Sequence, residues 1–190
     1  MYMLKSEQDI LKVIQNDSEM MAIINAAQTM QLPDWWICAG FVRSKIWDVL
    51  HEFKEPTIID DVDVVYFDPN NLEESIEKDY EQRLKKLMPS VPWSVKNEAR
   101  MHHINNLEPY KSTVDAIAKF PETVTSLGVK RTEDGEILLV CPHGVTDVLS
   151  LTVRPTPFFK QSEDRMKIYH SRIHKKNWKS KWYKVTYFTE

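Results

Sequence analysis

Asp61 and Asp63 open the run DDVDVVYFD, Asp60 to Asp68. In a strand, alternate residues share a face. Asp61, Asp63, Val65 and Phe67 therefore point one way, and Val62, Val64, Tyr66 and Asp68 the other. Carboxylates two residues apart lie roughly 6 to 7 Å apart along a strand, and they resist burial while uncompensated. A hard divalent cation, magnesium or manganese, removes that conflict and leaves room for substrate phosphates. Metal-assisted phosphoryl or nucleotidyl transfer needs this arrangement. The plain alternative is that Asp60, Asp61 and Asp63 cap an exposed strand end. The strand's continuation as VVYF, apolar in pattern, favours the metal reading.

One element upstream, WWICAGFVRSKIWDVLHE carries a second set of candidates. The pattern predicts a helix from Gly40 to His51, with Val42, Ile46, Val49 and Leu50 as its apolar stripe. A helix N-terminus offers free N–H groups and a positive dipole end, which suits a phosphate. Gly40 allows close backbone approach, and Arg43 is placed to reach a triphosphate. Gly40, Arg43 and Ser44 are therefore candidate nucleotide-binding residues, against the plain reading of Arg43 as a surface ion-pair partner.

These residues need a frame. Ser6, with Asp9 three residues on, starts one or two amphipathic helices running to about Met30. A short apolar segment follows from Trp35 to Ala39. Strands are predicted over Ile58–Phe67 and Val91–Ala99, with a helix between them on the stripe Leu72, Ile76, Tyr80, Leu84 and Leu87. A short helix spans Ser112 to Lys119. Val124–Arg131 and Glu136–Cys141 form a hairpin around Glu133-Asp134-Gly135, and Gly144 to Leu151 is a further short helix. The RPTPF loop, Arg154 to Phe158, precedes a C-terminal helical tail. The fold class is α/β (α+β), in one domain over residues 1–190.

The chain has 190 residues and a net charge of −3, so it lacks the basic balance of a general nucleic-acid binder. The segment KKNWKSKWYK, Lys175 to Lys184, reads as a solvated basic tail, with a polyanion site as the alternative. Cys38 and Cys141, both in apolar runs, read as buried free thiols and point to a reducing cytoplasm. No run approaches the roughly 18 apolar residues of a membrane span, and MYMLKSEQDILK lacks the apolar core of a signal peptide. Four glycines are too few for a Gly-rich phosphate loop. Adjacent His102 and His103 are not expected to share a face, so neither is read as half of a metal pair.

AGFVRSKIWDVLHE followed by DDVDVVYFD resembles a bacterial nucleotidyltransferase-like family within the DNA polymerase beta-like nucleotidyltransferase superfamily. WSVKNEARMHH, PETVTSLGVKR and CPHGVTDVLSLTVRPTPFF extend the likeness, which covers the chain from about Met20 onward. The resemblance implies a small mixed sheet flanked by helices. It implies that Asp61 and Asp63 hold magnesium, and that Gly40 and Arg43 hold a nucleoside triphosphate. The reaction it implies is in-line attack on the α-phosphate with release of pyrophosphate. Where the superfamily usually has Gly-Gly or Gly-Ser at the helix start, this chain has Gly40-Phe41. The superfamily usually adds a third carboxylate from a neighbouring strand. Glu98 is the candidate here, with Lys96 on the same strand face as a phosphate ligand, and Asp115 and Asp147 are the fallbacks. The expected function is magnesium-dependent transfer of a nucleoside monophosphate to a small-molecule acceptor. The alternative is a catalytically inactive nucleotide-binding or regulatory module on the same fold. A nuclease is disfavoured, because Lys96 precedes Glu98 where such sites want a lysine after the glutamate.

Overall fold

Two short helices lead the chain, each started by a side chain. Ser6 Oγ accepts from the Asp9 amide at the head of α1 (Glu7–Gln15), and Asp17 accepts from Glu19 and Met20 at the head of α2 (Ser18–Gln28). These two caps satisfy amides that no helical carbonyl can reach. The computed structural model describes residues 4–188. Residues 1–3 and 189–190, included in the expected 1–190 domain, lie outside the described residues.

The centre is a five-stranded mixed sheet. Its strands are β1 (Trp36–Cys38), β2 (Val62–Tyr66), β3 (Trp93–Asn97), β4 (Gly128–Arg131) and β5 (Ile137–Val140), in the spatial order β3-β2-β1-β4-β5. Only the β2–β3 pair is parallel, and a helix, α4 (Glu74–Leu87), makes the crossover that parallel pairing requires. The expected hairpin is β4–β5, closed by a turn in which Gly135 takes φ +89°.

Register separates the two faces. Cys38 lies opposite Asp63 and Trp36 opposite Val65, while Ser94 lies beside Asp63 and Lys96 beside Val65. Cross-strand partners share a face, so these six residues form one surface. Ile37, Val62, Val64, Tyr66 and Val95 form the other, packed into the main core with Val42, Ile46 and Trp47 of α3 (Gly40–Leu50). Trp36, Cys38 and Val65 join a smaller cluster under Ile117 of α6 (Thr113–Ala118). The Asp61/Asp63 face is thus the thinly covered one.

Several boundaries differ from the pattern. The DxD strand begins at Val62 rather than Ile58, because Cys38–Asp63 is the last β1–β2 pair and nothing pairs with the preceding residues. Ile58 is 87% exposed as a result. The next strand stops at Asn97, whose side chain accepts from the Ala99 amide and starts an unexpected helix, α5 (Glu98–Asn105). On α4, Leu72 and Leu87 of the expected stripe are exposed, and Glu77 is fully buried. Glu77 and Glu81 accept from the Asn97 and Val95 amides, blunting the sheet edge at β3.

The remainder wraps back onto α3. After α7 (Thr146–Leu149) and β6 (Thr152–Val153), the loop turns through α8 (Pro157–Lys160) into α9 (Glu163–Lys176). A 3-10 turn, Trp178–Ser180, leads to β7 (Thr186–Tyr187), which pairs in parallel with β6. The expected solvated tail is therefore corrected. Trp178, Trp182 and Val185 are buried, and Tyr169 of α9 donates to the Val153 and Phe188 carbonyls. Apolar residues at four-residue spacing seat the segment while its lysines stay in water.

Candidate active site

The seven leading candidates from the sequence, Gly40, Arg43, Ser44, Asp61, Asp63, Lys96 and Glu98, reach one cleft of about 390 Å³, a size within the roughly 300 to 1,000 Å³ typical of small-molecule sites. Asp61 and Asp63 line it from the mouth of β2, with Lys96 and Glu98 across from β3 and α5. Gly40, Arg43 and Ser44 enter from the first turn of α3. The fallback carboxylates lie elsewhere. Asp115 accepts from Lys111 and Lys119, and Asp147 is held by Thr123 and Arg154.

The carboxylates are electrostatically uncomfortable. Burial, then the charge of Asp61, pushes the Asp63 carboxyl up to about 6. Glu98 is 6% exposed, and burial, then the charges of Asp63 and Glu77, raises it from 4.5 to about 8. Charge repulsion between buried acids has this effect when no cation lies between them. Cys38, on the rung beside Asp63, is raised well above its ordinary value by burial and then by the same three acids. Its thiol is therefore inert. Among the described residues, no set of three or more His, Cys, Asp or Glu side chains is arranged to hold a metal ion by itself. Asp61 and Asp63 still fit magnesium, which binds through one or two carboxylates and completes its shell with water and substrate phosphate.

The α3 side has the opposite charge. Ala39, just before the helix, takes φ +55° and ψ −117°, a strained conformation for a residue with a Cβ. Its amide donates to the Leu127 carbonyl, which holds the sharp turn from β1 into α3. A Cβ at Gly40 would meet only Arg43 Nη2, at 3.6 Å. The body of the protein leaves that space open, and glycine keeps the helix-terminal backbone bare. Arg43 is not a surface ion pair: it is 8% exposed. Its guanidinium lies 5.1, 4.6 and 5.4 Å from the rings of Trp47, Trp178 and Trp182. Nη2 donates to Ser44 Oγ at 3.3 Å, and Nε has no partner among the described residues. Burial lowers its pKa to about 10, which leaves it charged at neutral pH. The aromatic faces stabilise this cation without neutralising it, so the cleft holds a positive charge in need of an anion.

Lys96 lines the cleft as expected, and also lies 3.5 Å from the buried Glu77, which Arg100 grips through two hydrogen bonds. Glu98 reaches the cleft from the head of a helix, not from a strand. The His102 and His103 rings lie 3.8 Å apart, closer than adjacent positions lead one to expect, on the last turn of α5 where the chain leaves the helix. Neither lines the cleft.

The opposite wall comes from the segment expected as a solvated tail, together with Arg172, which the sequence did not single out. Arg172, Lys176 and Lys181 face the cleft from the C-terminal segment, with Trp178 and Trp182 between them. Arg172 is held by the fully buried Glu122, Nε to Oε1 at 2.9 Å, and Glu122 also accepts from Thr125. The Trp178-x-x-x-Trp182 spacing was the available signal of an anchored segment. Glu122 had none, since a lone glutamate beside a proline is ordinary.

The family described as Nucleotidyltransferase matches residues 25–187. The chain belongs to the nucleotidyltransferase family. An NMR structure described as revealing a CCA-adding enzyme head domain is 34% identical, with a TM-score of 0.88 over 100% of this chain and 99% of that one. A CCA-adding enzyme in complex with CTP matches with a TM-score of 0.60 at 9% identity. The Thermotoga maritima CCA-adding enzyme complexed with tRNA matches at 0.56 and 12%. Both matches cover all of this chain and 44% of theirs, and at such identity the likeness is one of fold. No curated protein matches. The expected nucleotidyltransferase fold, a mixed sheet flanked by helices, is thereby established for this family member. Among the described residues, no helix is long and apolar enough to cross a membrane.

Proposed function

We propose that the protein transfers a nucleoside monophosphate from a nucleoside triphosphate to a hydroxyl of a small-molecule acceptor, with a divalent cation as cofactor. One observation carries this reading: Asp61, Asp63 and Glu98 share a cleft with the bare helix terminus at Gly40 and the unneutralised Arg43. Acids alone would repel a triphosphate, and cations alone would bind it without acting on it. Relatives of the same fold have been seen with CTP and with ATP.

In this reading Asp61 and Asp63 would hold magnesium, which would offset their charge and supply Lewis-acid stabilisation to the phosphates. Gly40 amides, Ser44 and Arg43 orient the phosphates, and Lys96 offers a further charge. Glu98 accepts the proton of the acceptor hydroxyl. That oxygen forms a bond to the α-phosphorus, the bond to the bridging oxygen breaks, and pyrophosphate leaves. The test is pyrophosphate release from each nucleoside triphosphate with magnesium, over a panel of hydroxylated small molecules and tRNA. Release with a small molecule supports the proposal, and release with tRNA alone moves the acceptor to a macromolecule.

Among the described residues no third side chain joins Asp61 and Asp63 in a metal-holding set, which favours a second reading, a module that binds nucleotide without transferring it. Nucleotide binding with no pyrophosphate release across the whole panel would establish it.

A further inference from the structure

Charge is sharply segregated along this chain. Residues 165–189 hold eight Lys and Arg and no Asp or Glu, which leaves 17 basic against 28 acidic residues elsewhere. The segment is seated on α3, the element that carries the anion-binding turn. Trp178 and Trp182 pack edge-on against Trp47 at 5.8 and 5.2 Å, and Trp182 Nε1 donates to Asp48 at 2.7 Å. Lys184 is fixed as well: its amide donates to His51 Nε2 and its ammonium to the Leu50 carbonyl. Seating of this kind leaves the cations between the anchors little choice of direction.

Arg172, Lys176 and Lys181 are the three that face the cleft. They flank the tryptophans that cover Arg43, so they lie with the α3 side, while Glu98 heads the helix that follows the edge strand β3. Lys176 and Lys181 are exposed and make no ion pair within 4.0 Å among the described residues. An anion held between the paired aspartates and Arg43 occupies the cleft that all three cations line. A chain of phosphates offers these separate cations several anionic groups, where a single phosphate offers one.

We infer that Arg172, Lys176 and Lys181 form a clamp for the β- and γ-phosphates of the nucleoside triphosphate, and for the pyrophosphate left after transfer. The inference rests on the nucleotidyltransferase reading of the cleft and adds the residues that distinguish a triphosphate from a monophosphate. Lysine suits the task, as a flexible point charge that follows a phosphate as it departs.

The test is titration of the full chain, with magnesium, by ATP, CTP, AMP, CMP and inorganic pyrophosphate. Lys176→Gln with Lys181→Gln is the variant of choice, because it leaves the Arg172–Glu122 pair intact. Its binding of ATP, CTP and pyrophosphate is expected to weaken about tenfold, with AMP and CMP within about twofold of wild type. The difference should shrink as salt is raised. Equal losses for mono- and triphosphates, or unchanged triphosphate binding, would overturn the clamp while leaving the site reading in place. A wild-type chain that binds neither ATP nor CTP would overturn the site reading itself. Melting curves check the fold. If the double variant is unstable, each single variant repeats the test, with about threefold expected.

Discussion

The cleft has two walls that solve opposite problems. The sheet wall gathers Asp61, Asp63 and Glu98, whose charges repel each other under cover. The C-terminal wall gathers Arg172, tied to the buried Glu122, with Lys176 and Lys181, which are exposed on either side of the buried Trp178. Register fixes Asp63 on the cleft face, where a shift of one residue would send it to the other side, and Asp61 and Glu98 join it from the ends of β2 and β3. The cations are brought together by a docked segment that nothing in their own spacing dictates. One wall therefore crowds negative charge under cover, and the other presents positive charge from a docked segment.

The largest effect should come from breaking the acidic wall. Asp61→Asn with Asp63→Asn is expected to lower magnesium-dependent pyrophosphate release by about a thousandfold or more, with a melting temperature equal to or above wild type because repulsion is relieved. Activity within tenfold of wild type would remove these residues from the chemistry.

Breaking the other wall should be felt first in stability. Trp178→Ala deletes a buried ring that covers Arg43, and about 3 to 5 kcal/mol of destabilisation is expected in urea denaturation. A loss under about 1 kcal/mol would show that the segment is only loosely docked.

The acidic wall also predicts a pH dependence. Asp63 and Glu98 bind protons more tightly folded than unfolded, with folded values of about 6 and about 8 against 3.8 and 4.5. Protonation stabilises the fold, so stability should fall as pH rises from about 4 to about 8. Magnesium should oppose that fall, raising the melting temperature by on the order of 5 °C near the top of the range and little near the bottom. A magnesium effect independent of pH would separate the cation from these two carboxylates.

The smallest effect concerns the turn between β1 and α3. Ala39→Gly relieves a positive φ and loosens the unfolded chain, with a net gain of about 1 kcal/mol expected from thermal melting.

The two walls also differ in how far the sequence revealed them. The acidic wall was legible because strand parity and helix periodicity act over a few residues, which is enough to single out Asp61, Asp63, Gly40 and Arg43. Glu98 was placed in the right cleft on the wrong element, since Asn97 ends the strand by capping a helix and the two leave no loop between them. The basic wall was misread as solvated. Its composition is locally that of a tail, and the partners that bury its tryptophans lie in α3. The packing around Arg43 was hidden for the same reason, because two of its three rings, Trp178 and Trp182, come from that segment.

That separation affects how the protein is made. Trp182 and Asp48 are bonded across 134 positions, and β7 reaches back to β6 across more than thirty. Contacts of such long range form slowly and only after the intervening chain has been ordered. During synthesis Asp61, Asp63 and Glu98 have all emerged well before the segment that carries the opposing cations has left the ribosome. Until that segment docks, Arg43 lacks the rings of Trp178 and Trp182, so the charge of the cleft is balanced only when the end of the chain has settled onto α3.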